Sequence, residues 1–226
     1  MKGMSKLSIL AALAMLIIAS SVLAAPAQDT VQYRVTFIRL WTMKTHPFEY
    51  PEAGLLTGPH LSGLIGATHA GGYDIFKVGT LPTPGLERLS EEGKHSPLDE
   101  EMKKAIAAGK AGMLFETGPI RDAAKTETVN VTVTSKFPIV SAVAMVAPSP
   151  DWFAGASNIS LMEGGKWVSR KTVDMIAYDS GGDDGTTYKA PDKDNNPKKP
   201  TTTADTPHFV IRGKRVPVAR LIFTKI

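Results

Sequence analysis

The chain has 226 residues and a mass of 24.2 kDa, enough for one large domain or two small ones with a buried core. Hydrophobic residues make up 42% of the sequence and charged residues 21%, which excludes a wholly disordered chain, a collagen and a coiled coil. The sequence has no cysteine, so disulfides, thiolate zinc sites, iron–sulfur clusters and a cysteine nucleophile are excluded. Its 20 glycines and 16 prolines favour a turn-rich β protein over a helical bundle.

The first 24 residues have the features of a secretory signal peptide. Lys2 and Lys6 precede an apolar run over residues 7–18, and small residues then lead to a cleavage site after Ala24. The apolar run is shorter than a membrane span, which disfavours the alternative of an N-terminal anchor, and no later stretch is long enough to span. The formal net charge of +4 falls to +2 once the two lysines are removed. We therefore expect a secreted or periplasmic protein without a nucleic-acid partner.

Five later segments have the pattern of β-strands. Residues 31–41 and 128–135 alternate apolar and polar side chains, whereas residues 139–147 are continuously apolar, as in a strand that is buried on both faces. Residues 167–178 and 216–226 are further strands, the latter in a hairpin with residues 208–211. The predicted core comprises Tyr33, Val35, Phe37, Val131, Val133, Val143, Met145, Val173, Ile176, Leu221 and Phe223.

Helical signals are confined to one part of the sequence. Ser96 is placed as the N-cap of a helix with Pro97 at its first position and Gly109 just beyond its end. Residues 86–89 predict a second short helical turn. Residues 189–207 are polar and rich in proline, which predicts a long exposed loop.

The sequence offers little support for catalysis. It has no G-x-S-x-G motif, no H-E-x-x-H motif and no glycine-rich phosphate loop. His46, His60 and His69 fall close together, but their spacing of 14 and 9 residues matches no zinc motif. Ordinary histidines with satisfied hydrogen bonds are the simpler interpretation.

Acidic loops are the more informative feature. Asp179 and Asp183 lie in a glycine-rich loop after one predicted strand, and Asp151 follows another. Carboxylates and carbonyl groups of such a loop are the oxygen ligands that Ca²⁺ prefers, and clustered carboxylates repel one another without a cation. Asp-Gly loops are also ordinary turns, and this one does not have the EF-hand spacing.

Several motifs, taken in order, resemble the spondin domain, the N-terminal module of F-spondin. The match runs from about residue 31 to the end, so residues 25–226 are expected to form one domain. The resemblance implies an all-β, C2-like antiparallel β-sandwich with one or two short helices, a role in extracellular binding or adhesion, no catalysis, and Ca²⁺ bound by Asp151, Asp179 and Asp183. The motifs are YRVTF (33–37), KTHP (44–47), LIGATH (64–69), APSPDW (147–152) and YDSGGD (178–183).

Some positions depart from the family pattern. Gly182 stands where threonine is usual and Asp184 where serine is usual. The cysteines that animal members carry before Trp167 are missing, as are accompanying thrombospondin-type repeats.

These observations favour a secreted, calcium-binding, non-catalytic module whose ligand is an extracellular protein or glycan. One alternative is a metal-dependent hydrolase that uses the acidic loops and His60 or His69. Another is calcium-dependent binding to a lipid surface, for which Phe153 beside Trp152 is the only indication.

Overall fold

The computed structural model describes residues 29–51 and 58–226. The expected signal peptide, residues 1–24, lies outside the described residues. Within the described ranges, no helix is both long enough and apolar enough to cross a membrane.

The described residues form fourteen strands and two helices. The helices are α1 (Pro84–Glu92) and α2 (Leu98–Ala107). The strands are β1 (Thr30–Arg39), β2 (His60–Leu61), β3 (Ile65–His69), β4 (Ala111–Glu116), β5 (Thr126–Thr134), β6 (Ile139–Ala147), β7 (Trp152–Ser160), β8 (Met162–Glu163), β9 (Lys166–Trp167), β10 (Arg170–Asp179), β11 (Thr202–Thr203), β12 (Val210–Ile211), β13 (Lys214–Arg215) and β14 (Ala219–Lys225).

The main sheet has the strand order β4-β3-β6-β7-β10-β14-β1-β5, and every pairing along it is antiparallel. Its edge strands approach each other, because the backbone N–H of Thr132 in β5 lies 3.2 Å from Sδ of Met113 in β4. The sheet is therefore nearly closed around one core, and the predicted all-β, sandwich-like fold is confirmed. Short strands β2 and β11 extend the sheet at β6 and β10.

Strand β1 shows how the alternating sequence builds this core. Val31, Tyr33, Val35 and Phe37 are buried on one face, while the residues between them face outward. The first strand pairs with the last, with Val35 opposite Phe223. Burying this face is the main source of stability, since each large apolar side chain contributes about 1.5–3 kcal/mol.

Strand β10 corrects part of the predicted core. Met175 and Ala177 are buried, but Val173 and Ile176 are only half-buried. Because side chains alternate between the two faces of a strand, Val173 and Ile176 cannot both face the same side. Val173 lies on the core face, near the start of the strand, and Ile176 lies on the opposite face.

The last hairpin also differs from the prediction. Residues 210–211 pair with β13, not with the terminal strand, and β14 begins only at Ala219. The terminal strand instead lies between β1 and β10, where both of its edges are paired.

Helix α1 is longer than the predicted turn over residues 86–89. Its N-cap is Thr83, whose Oγ1 accepts a hydrogen bond from the N–H of Leu86 at 3.2 Å, and Pro84 begins the helix. Gly93 ends it in the left-handed conformation at φ 67°, donating its N–H to the carbonyl of Leu89.

Helix α2 begins one position later than predicted. Pro97, not Ser96, occupies the N-cap position, and no side chain caps the helix there. Gly109 adopts φ 68° just after the helix, as its predicted role at the C-terminus requires.

The two helices cover the outer face of the sheet and form a second apolar cluster there. This layer explains why β6 is apolar at every position except Ser141, since its outer face lies under helices and not under water. The cluster includes Ile65, Val143 and Phe153 from the sheet, and Leu86, Leu89, Leu98 and Met102 from the helices.

The segment 189–207 is mostly exposed, as predicted, but it is anchored at several points. Asn195, Thr201 and Ala204 are buried, and Thr203 of β11 pairs with Tyr178. The prediction of a freely solvated loop is therefore wrong for these positions. Their small or polar side chains gave no apolar pattern from which burial could be predicted.

Candidate metal centre

The sheet places Asp151 and Asp179 side by side. Asp179 is the last residue of β10 and pairs with Trp152, the first residue of β7, so Asp151 lies one position from this pair. The backbone N–H of Ser180 then donates to the carbonyl of Asp151 at 3.2 Å. Two of the three predicted ligands thus meet where the β6–β7 connection approaches the loop that follows β10.

Asp151 holds this loop by its side chain. It has no exposed surface, and its Oδ2 accepts hydrogen bonds from the hydroxyl of Ser180 and from the backbone N–H groups of Gly181 and Gly182, each at 2.9 Å, and of Asp183 at 3.2 Å. Successive N–H groups that converge on one oxygen form an anion-binding concavity. Its Oδ1 is also buried but accepts no hydrogen bond from the described residues.

The electrostatics of the cluster disfavour its charged state. Burial raises the pKa of Asp151 to about 6, with a further contribution from the Asp179 carboxylate, although hydrogen bonds from the loop oppose the shift. Burial also raises the pKa of Asp179, and the Asp183 carboxylate adds to this effect. A bound cation would relieve both effects. The buried Oδ1 of Asp151 and the nearby carboxylate of Asp179 are ligands of the kind that Ca²⁺ prefers. The three aspartates do not, however, form a group in which one oxygen from each lies within 4.8 Å of the others.

Asp183, the third predicted ligand, is buried in the loop itself. Its Oδ1 accepts from the N–H of Gly185 at 2.6 Å, and its Oδ2 accepts from the N–H of Lys193 at 2.5 Å. Asn195 completes the loop by donating from Nδ2 to the carbonyls of Gly181 and Asp183. Sequence reasoning missed Asn195, because nothing in its polar neighbourhood distinguishes it from Asn196.

A second acidic cluster lies beside the first and was not predicted. It consists of Glu87, Glu91 and Asp194, each of which has one carboxylate oxygen within 4.8 Å of an oxygen of the other two. Among the residues that the structure describes, this is the only group of three potential metal ligands at such distances. Lys198 already neutralises part of it, with Nζ 2.8 Å from Glu87 and 3.4 Å from Asp194. The spacing of four residues between Glu87 and Glu91 on a helix was the signal that could have identified it.

The histidines are bonded elsewhere. His69 Nδ1 lies 2.7 Å from the carbonyl of Ala70 and Nε2 lies 2.8 Å from the hydroxyl of Ser141, while His60 Nδ1 lies 2.9 Å from the carbonyl of Gly58. Within the described part of the chain, no hydrogen bond joins His60 or His69 to the three aspartates. This arrangement agrees with the simpler interpretation of satisfied histidines.

The lipid-surface hypothesis depended on Trp152 and Phe153, and both side chains are completely buried. Phe153 packs against Phe76 and Tyr178, and Trp152 packs against the ring of Tyr188. Neither side chain can contact a membrane surface, so the two residues do not support that hypothesis.

A cleft of about 790 Å³ lies between the C-terminal end of α1 and the β6–β7 connection. Ser149 of the β6–β7 connection and Glu91 of α1 both line it, but none of the three aspartates does. Other lining residues are His60, Ser62, Arg121 and Tyr188.

The sequence of this chain is similar to sequences of known proteins. The Spondin_N family model matches residues 31–209. Spondin-1 of Xenopus laevis is 29% identical over 212 residues, and Spondin-1 of Mus musculus is 30% identical over 216 residues. Each alignment covers 88% of this chain and 26% of the relative. Spondin-2 of Rattus norvegicus is 28% identical over 214 residues, covering 88% of this chain and 63% of the relative.

The chain therefore spans about a quarter of the length of the Spondin-1 proteins that it matches, and less than two thirds of rat Spondin-2. The family model nevertheless covers most of the chain, including all three aspartates of the candidate centre. The chain belongs to the spondin N-terminal domain family.

Proposed function

We propose that this protein is an extracellular, calcium-binding, non-catalytic binding module of the spondin type. The observation that carries the proposal is the orphan Oδ1 of Asp151, a carboxylate oxygen that is fully buried without a hydrogen-bond donor among the described residues. An unpaired buried charge is unfavourable, and a cation bound there would compensate it. Asp179 and Asp183 would supply further negative charge to the same ion.

Calcium would act here as a structural cross-link. The ion would hold the β6–β7 connection, through Asp151, against the loop that follows β10, through Asp179 and Asp183. A catalytic metal requires an open coordination position and a nearby base. The complete burial of Asp151 and the separate hydrogen bonds of His60 and His69 favour the structural role over the hydrolase hypothesis.

Export follows from the sequence of residues 1–24. Cleavage after Ala24 would release a secreted or periplasmic protein, and its partner would be an extracellular protein or glycan. N-terminal sequencing of the exported protein tests this, with Ala25 as the expected first residue. A first residue of Met1 in a membrane pellet would indicate an anchor.

Isothermal titration of the metal-free mature protein with calcium chloride tests the binding function directly. We expect saturable binding in wild type and in Asp192→Asn. Asp192 is exposed and is not one of the three proposed ligands, so its substitution should leave the ion's ligands unchanged. We expect strongly reduced binding in Asp179→Asn. Absence of binding by wild type at millimolar calcium would contradict the proposal.

A further inference from the structure

Glu91, near the C-terminal end of α1, carries a second orphan oxygen. Its Oε1 is buried and accepts no hydrogen bond from the described residues. The next residue, Glu92, is exposed and its Oε2 lies near Arg88 and Lys94, as expected for a surface carboxylate. Glu91 therefore differs from its neighbour in both burial and pairing.

Glu91 and Asp151 lie near the same glycine. The backbone N–H of Gly182 donates to Asp151 Oδ2 at 2.9 Å, and a Cβ atom at Gly182 would lie only 2.4 Å from Glu91 Oε1. The absence of a side chain at position 182 thus allows α1 to bring a carboxylate against the aspartate loop. Burial and the charge of Glu87 raise the pKa of Glu91 to about 7, and the charge of Asp151 makes a smaller contribution in the same direction.

The other acidic side chains near Glu91 have a cation already. Lys198 Nζ contacts Glu87 and Asp194, and it donates to the carbonyl of Gly182 at 3.3 Å. Glu87 and Asp194 therefore form ion pairs with Lys198, whereas Glu91 Oε1 and Asp151 Oδ1 accept no hydrogen bond within the described ranges. Lys198 therefore takes the place that a second cation would have between Glu87 and Asp194.

We propose that Glu91 is a fourth carboxylate of the calcium centre, and that the bound ion ties helix α1 to the loop at residues 180–185. The inference rests on the proposed calcium binding and assigns to it a residue that lies sixty positions before the first of the three aspartates. Two buried carboxylate oxygens from different elements, each without a donor, would share one divalent charge.

Calcium titration of Glu91→Gln tests the assignment, with Glu92→Gln as the matched control on the same helix. We expect calcium affinity about tenfold weaker in Glu91→Gln, because groups that support a metal site typically contribute ten- to a hundredfold. Glu92→Gln should bind as wild type does. Equal affinities of wild type and Glu91→Gln would overturn the inference while leaving the proposed function intact.

Gly182→Ala provides a variant that keeps the charge of Glu91 but displaces it. The new methyl group would push the flexible end of Glu91 away from the loop, so calcium affinity should fall although the number of carboxylates is unchanged. If Glu91→Gln does not fold, this variant decides the question, and unchanged affinity would overturn the inference.

Hydrogen exchange separates a ligand from a residue that merely supports the fold. Calcium should slow amide exchange in the last turn of α1 in wild type and in Glu92→Gln, but not in Glu91→Gln. Equal calcium-dependent protection of α1 in all three proteins would contradict the proposed link. If wild type binds no calcium at all, the proposed function fails and this inference fails with it.

Discussion

The side-chain amide of Asn195 lies 2.6 Å from the backbone carbonyl of Asp183 and donates a hydrogen bond to it. The same amide group also donates to the carbonyl of Gly181 at 3.2 Å. The backbone N–H of Asn195 donates to the carbonyl of Gly182 at 2.7 Å. Asn195, in the polar segment 189–207, thus holds the loop at residues 180–185 in place by three hydrogen bonds.

Asn195→Ala should therefore lower the free energy of unfolding by about 2 kcal/mol, because the buried carbonyl of Asp183 loses its donor and that of Gly181 keeps only the N–H of Lys199. Asn196→Ala is the control: this neighbour is exposed and should change stability by less than about 0.5 kcal/mol. Urea unfolding in a chelator measures both without interference from calcium. Equal stability of the two variants would show that the segment does not brace the loop.

Asp151→Ala should destabilise the protein even without calcium. The N–H of Asp183 and the hydroxyl of Ser180 would lose their buried acceptor, and the N–H groups of Gly181 and Gly182 would keep only Asp179 Oδ1 and Ser180 Oγ, which we expect to cost on the order of 3 kcal/mol. Asp192→Ala, in an exposed position, is the control. A melting temperature in chelator equal to that of wild type would show that the carboxylate does not organise the loop.

Two substitutions separate the observed core from the predicted one. Phe223→Ala should cost about 3–5 kcal/mol, since Phe223 is fully buried where β14 lies between β1 and β10. Val173→Ala should cost much less, because this side chain is only half-buried. Similar losses in chemical denaturation would contradict the conclusion that Val173 contributes less to the core than Phe223 does.

Buried His69 should make stability depend on pH. Burial lowers the pKa of His69, although the carbonyl of Ala70 and the charge of Asp74 oppose the shift. Below about pH 6.5, the ordinary pKa, the unfolded chain therefore binds a proton that the folded protein does not, so this group's contribution to stability is lost as the pH falls.

The variant His69→Gln tests this contribution. The stability difference between pH 7.5 and pH 5.5, measured by urea unfolding, should be smaller in the variant than in wild type. An unchanged difference would assign the pH dependence to other groups.

The sequence was sufficient to predict the strands of the main core, because alternation in β1 and the continuous apolar run of β6 are strong local signals. The second face of β6 is buried because α1 and α2 pack on it, and this packing between distant segments has no local signal in the sequence. Strand β7 was not predicted at all. Its small residues at positions 154–156 resemble a loop, but they are buried between β6 and β10.

The candidate site was predictable only in part. Asp151, Asp179 and Asp183 stand out in the sequence because they occur with proline and glycine after predicted strands. Asn195 and Glu91 have ordinary surroundings in the sequence, and their roles arise from contacts between distant segments. Asp194→Asn would be an unsuitable control for the same reason, since Asp194 contacts Lys198 beside the loop.

Thermal unfolding in chelator and in millimolar calcium tests the central claim most directly, with wild type, Asp179→Asn and Asp192→Asn compared. Calcium that binds only the folded state should stabilise wild type by about 2.7 kcal/mol at a hundredfold excess over the dissociation constant. Asp179→Asn should lose most of this gain, with an equal or slightly higher melting temperature in chelator, and Asp192→Asn should keep it. Identical melting of wild type in chelator and in calcium would contradict the account.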